Sequence, residues 1–178
     1  MRAGDLREKL IVQKPTETQD IMGAPDTAWT EFDQVWAGEV RATGSETESR
    51  DTARVARPSN WTLRHRHGIT EKMRFLAQLE STTLDGTTNS SVTSITVTSS
   101  ADFPLEGEFR ILVESEIMLV TAGWGTTSWT VTRALDGTTA ASHADDKILH
   151  RMRVVDIQSV MDPDGRRREL AILGVVHG

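Results

Sequence analysis

Ser142, His143 and Asp145 put a hydroxyl, an imidazole and a carboxylate within four residues of one another. Those are the groups of a nucleophile–base–acid triad, but such a triad is an arrangement in space and is usually assembled from distant segments. Three neighbours on one loop seldom aim at a common point. His65 and His67 are two apart, which on a strand puts both on one face. A zinc site needs four ligands, and no second pair stands at a suitable spacing, so both are read as solvated or contact-making histidines. Asp85, Asp136, Asp145 and Asp146 could bind calcium, yet neither loop has the alternating ligand series of a calcium loop. Nothing singles out two of the many acids as a glycosidase pair. The dense basic cluster Arg166, Arg167 and Arg168 is a candidate phosphate or protein contact; the plainer reading is a charged guard on the apolar run that begins at Leu170. The sequence therefore points to no catalytic residue, no metal and no cofactor.

The pentapeptide LDGTT occurs at 84–88 and again at 135–139, and both copies continue to a serine, Ser91 and Ser142. Asp-Gly is a strong turn signal, because glycine accepts positive φ and aspartate bonds to nearby backbone N–H groups. The flanking strands do not recur in matching order, as a duplicated unit would require. Two turns of the same kind are the better reading.

Charge divides the chain. Residues 1–79 carry 12 Lys/Arg against 12 Asp/Glu, and residues 151–178 carry 5 against 4, whereas residues 80–150 carry 3 against 10. The acidic block accounts for the net charge of −6, and no basic stripe argues for tight duplex DNA binding. No apolar run reaches membrane-spanning length, and the first residues lack the apolar stretch of a secretory signal. With no cysteine there is no disulfide framework, which fits assembly in a reducing cytoplasm.

The elements that position these residues are mostly strands. Within 80–150, SITVT, EFRILVE, EIMLVT and SWTVTR are short β-branched runs separated by Gly, Pro and Asp-Gly, the pattern of an all-β unit. Ile95/Val97, Ile111/Val113 and Trp129/Val131 should line one face. Outside the block, 9–14 and 27–40 read as a long-tipped hairpin, 60–66 and 72–79 alternate, and 152–161 and 167–176 flank Asp162-Pro163-Asp164-Gly165, which suits a type I turn. Ser45 and Glu48 fit a capping box, predicting a helix over 45–56. Trp29, Trp36 and Trp61 are expected in the core, and Trp124, between Gly123 and Gly125, is either a partner anchor or a lid over its own sheet. The expected architecture is an all-β protein: a small β-barrel with one α-helix, formed by 1–79 plus 151–178 and interrupted by an inserted small β domain at 80–150.

The opening Met-Arg-Ala-Gly-x-Leu-Arg, the triplet Val35-Trp36-Ala37, and the closing run with Ile157, Val160, Asp162, Pro163, Arg167, Arg168, Glu169 and Leu170 resemble the head–tail joining proteins of tailed bacteriophages, also called head-closure, head-completion or stopper proteins. The insertion at 80–150 departs from the family pattern. Its Ser115–Thr121, Val131-Thr132-Arg133 and Gly137–His143 segments resemble a small β module of phage structural proteins, and imply no chemistry. The family resemblance implies a non-enzymatic virion protein: a homo-oligomeric ring, twelvefold or sixfold, assembled in the host cytoplasm and placed in the neck. It would join portal or adaptor proteins to tail-terminator or tail proteins, and close the channel on packaged DNA without reading its sequence. Candidate subunit or partner contacts are Trp36, the helix residues Glu48, Arg50 and Arg54, Trp124, and Arg166, Arg167 and Arg168. The alternative is a fibre-like or carbohydrate-binding module acting through residues 80–150.

Overall fold

A computed structural model describes residues 3–19, 25–40 and 57–176. They form ten strands: β1 (Glu8–Gln19), β2 (Pro25–Val40), β3 (Arg57–Arg64), β4 (Arg74–Thr83), β5 (Ser94–Thr96), β6 (Phe109–Val113), β7 (Glu116–Ala122), β8 (Ser128–Thr132), β9 (Ile148–Met161) and β10 (Glu169–Val176). A short 3-10 helix, Ala3–Asp5, precedes them. The helix expected over 45–56, with Glu48, Arg50 and Arg54, lies outside the described residues. Backbone contacts divide the chain into a first unit, Met1–Ala77 with Arg153–Gly178, and a second, Gln78–Met152.

In the first unit the strand order is β10-β3-β2-β1-β4-β9, and β9 also pairs with β10, so the order returns on itself. It is barrel-like without being a clean barrel, because the strands overlap unequally. β1 pairs with β2 from Glu8 to Gln19 but with β4 only from Leu10 to Gln13. β2 pairs with β3 only from Ala37 to Val40. The far ends of β1 and β2 thus continue as a two-stranded ribbon. Alternation puts Leu10, Val12, Val35, Ala37, Leu63, Phe75, Ile157 and Ile172 into one buried cluster around Trp61, whose ring meets Phe75 edge-on at 5.1 Å. The indole N–H donates to Ser59 Oγ at 2.8 Å, satisfying the one polar atom the ring buries. Gly174 is required on β10, since a Cβ there would lie 2.4 Å from Val155 Cγ1. At the β9–β10 turn the Gly165 N–H reaches Asp162 O, the i to i+3 bond that the Asp-Pro-Asp-Gly sequence predicts.

Period-2 geometry also corrects an expectation. Val35 and Ala37 face inward, so Trp36 between them must face outward, and it is 58% exposed. Trp29 is half-buried beneath the Arg74 guanidinium, 4.1 Å from the ring centre. Only Trp61 of the three is core.

The second unit orders its strands β9-β6-β7-β8-β5. Ile95, Val97, Ile111, Val113, Trp129 and Val131, the face read from the sequence, are all buried with Leu84, Met118, Val120 and Leu149. Phe103 and Phe109 stand 5.0 and 5.4 Å from Trp129. The β7–β8 turn needs Gly123: its φ is +88°, and a Cβ would lie 2.1 Å from Ser128 O. Both LDGTT copies are turns. Gly86 has φ +99°, Asp136 +54° and Gly137 +76°; Thr88 of the first copy bridges His143, just past the second.

Candidate functional site

Two places in the described residues concentrate chemistry. The first is a buried ionic centre in the second unit, built on β7. Alternation on that strand carries Met118 and Val120 into the core and carries Glu116 with them, fully buried. A carboxylate in that position is stable only if it is paired and hydrogen-bonded. Arg133, one residue past β8, supplies a two-pronged contact: Nε donates to Oε1 and Nη2 to Oε2, both at 2.7 Å. The Ala134 and Ala141 N–H groups donate to the same carboxylate at 3.2 and 3.0 Å. The His143 ring is wedged between acids, Nε2 at 2.9 Å from Glu116 Oε2 and Nδ1 at 2.8 Å from Glu114 Oε2. Both ring nitrogens are thus engaged by carboxylates. Lys147 closes the cluster at 2.6 Å from Glu114 Oε1.

Burial alone would raise the Glu116 carboxyl. The bonds from Arg133, the Ala141 N–H, His143 and the Ala134 N–H outweigh it and hold the group at about 2. Hydrogen bonds from Lys147 and then His143 also lower Glu114. Arg133 spends its remaining donors on Asn89 O, Val92 O and Ala141 O, so its five N–H groups are all engaged. Its work is structural: one guanidinium ties β7 to the loops that follow both LDGTT copies.

This arrangement dissolves the serine–histidine–aspartate grouping. Both His143 nitrogens are taken by glutamates, and Asp145 Oδ1 accepts the Gly86 and Asp146 N–H groups instead. Asp136 pairs with Arg110 at 3.2 Å. His65 and His67 lie beyond the end of β3 rather than on it. Among the described residues no group of three or more His, Asp or Glu side chains could hold a metal ion. Sequence reading passed over Glu116 and Arg133; the available signal was a glutamate in phase with the inward residues of an apolar strand.

The second place is the outer face of β2 in the first unit, where Phe32, Trp36 and Val40 are exposed. An extra residue is accommodated on β2 opposite Val12/Gln13, and this bulge re-aims the strand at Phe32. Lys9 lies directly across from Trp36 on β1. Arg166, Arg167 and Arg168 are exposed on the β9–β10 turn, where the Arg167 N–H donates to Asp162 Oδ2 at 2.9 Å. Trp124 is not a free anchor: it packs against the second unit's core.

Residues 1–83 match the family of phage head completion proteins, which supports the chain's membership of that family. The match supports a phage structural, head–tail connector role, and that family is generally non-enzymatic and implies contact with other phage head and tail proteins at the head–tail interface. No curated protein matches the chain significantly. Among solved structures, that of protein SF1141 from Shigella flexneri 2a is similar at 18% identity and a TM-score of 0.42, covering 100% of this chain and 97% of that one.

Proposed function

We propose that the protein forms a closed homo-oligomeric ring in the phage neck, joins portal or adaptor proteins to the tail, and closes the channel on the packaged DNA. The observation that carries this reading is the pair of exposed apolar side chains on the outer face of β2, Trp36 58% and Val40 54% exposed, on either side of Gly38, where the Asp5 backbone packs, on the unit that holds most of the family match. Exposed tryptophan is costly on a monomer and is typical of the anchors that dominate protein interfaces. A ring needs a heterologous contact, one patch meeting a different patch on the next copy, and Trp36 supplies one half of it. The exposed Arg166–Arg168 turn is the proposed meeting point with a portal-side or tail-side protein. Residues 80–150 are proposed to be an insertion into the family's unit, entered through β4 and left through β9.

Light scattering on the purified chain, followed by electron microscopy of the particle, tests this. A closed ring at the neck is expected. A chain that stays monomeric and is absent from the neck would overturn the reading.

A further inference from the structure

We infer that the ring contact is made between the outer face of β2 on one copy and the acidic loop 102–108 of the second unit on the next copy. The inference rests on the ring reading above and specifies which two surfaces meet. Trp36 is exposed on its strand with Lys9 directly across from it. Arg64, on the outward phase of β3 next to the inward Leu63, is exposed as well. Neither cation makes an ion pair among the described residues, although Glu169 lies across from Arg64 on β10. The face is therefore an indole between two available cations.

The loop 102–108 is its complement. Leu105 is 75% exposed, more than any other large hydrophobic residue among those described, and it stands beside Glu106 and Glu108, both exposed. Neither acid has an ion pair among the described residues. An apolar knob with two carboxylates fits an apolar seat with two cations; charge fixes the register while the Leu–Trp contact supplies most of the attraction. The charges of the two surfaces are complementary, Lys9 and Arg64 against Glu106 and Glu108, and the occupant proposed for each surface is another copy. The two surfaces differ, so the contact is heterologous, as a ring requires.

The natural chain has no cysteine, which makes a trap simple to build. Full-length Q34C and full-length D102C, which place a thiol beside each surface and leave Trp36 and Leu105 in place, are purified separately, mixed, treated with a short thiol-to-thiol crosslinker and run on a denaturing gel. A mixed dimer is expected, and the Q34C/D102C double variant should give a ladder ending at the mass of the ring. Reversing Glu106 and Glu108 to Lys should shift wild-type-sized assemblies to monomer, and adding Lys9→Glu with Arg64→Glu should restore them. If the wild type forms rings but no mixed dimer appears, or if Q34C links only to itself, this pairing of faces is wrong and the ring reading stands. If the wild type does not assemble at all, the ring reading fails and takes the pairing with it.

Discussion

The two units solve the same problem by different means. The first has long strands whose pairing returns on itself around Trp61 and Phe75, and among the described residues its buried polar groups are few, chiefly Arg74 donating to Gln13 at 2.8 Å. The second has strands as short as three residues and long connections, so backbone pairing alone leaves its loops loosely held. There the loops are fastened by a buried guanidinium that reaches Asn89, Val92 and Ala141 while gripping Glu116. A buried ion pair adds little over a well-packed apolar substitute, but removing one partner is severe because the other charge is left stranded. The difference teaches where each unit is fragile: the first to changes of volume, the second to changes of charge.

The largest expected effect follows from that. Arg133→Met should destabilise the second unit by about 3–5 kcal/mol and leave the first intact. Hydrogen exchange would show it, with protection lost at Ile111 and Val120 and kept at Leu10 and Ile172. Equal loss in both would mean that the units unfold as one and that the contrast is only compositional.

Two glycines give a matched pair one step smaller. Gly123→Ala would push a methyl into Ser128 O at a positive φ, so backbone must move; Gly174→Ala meets only the Val155 methyl first, at 2.4 Å. Overpacking of this kind costs about 1–3 kcal/mol, and Gly123→Ala should sit at the upper end because a carbonyl cannot rotate away as a side chain can. Denaturant midpoints of the two variants would rank them. The reverse order would show that the second unit's turn yields more readily than the first unit's sheet.

Acid should act on the second unit first. The Glu116 carboxyl is held at about 2 in the folded chain against an ordinary 4.5. The stability it contributes is therefore complete above about pH 4.5 and is lost as the pH falls toward 2. Glu114 is lowered in the same direction by Lys147 and His143. Amide protection followed from pH 6 downward should fail on β7 and β8 while β1 and β10 persist. Simultaneous loss would place the acid-sensitive group elsewhere, with Asp162 in the β9–β10 turn, also lowered against its burial by backbone N–H bonds, as the next to examine.

How much of this was legible depended on whether a feature is local. Alternation in SITVT and SWTVTR is local, and it placed Ile95, Val97, Trp129 and Val131 correctly, because a strand's period of two sends every second side chain the same way. The Asp162–Gly165 turn is local as well. The ionic centre is not: Glu116, Arg133 and His143 stand 17 and 10 residues apart along the chain, and only the pairing of β7 with β8 and of Thr88 with His143 brings them together. Trp36 failed for a different reason. Tryptophan is usually buried, but phase outranks residue type, and with Val35 and Ala37 committed inward no rotation of the strand could bury it.

Trp36 also carries the smallest expected change in folding. Trp36 is 58% exposed, and surface changes such as Trp36→Ala stay within about 0.5 kcal/mol. Both units should therefore unfold at unchanged denaturant concentration. If the outer face of β2 is a seat for another copy, the same substitution should remove assembly as read by light scattering, so one variant separates folding from association. A clear loss of stability in the monomer would instead mean that Trp36 is covered within its own chain, and the apolar face would no longer distinguish the first unit from the second.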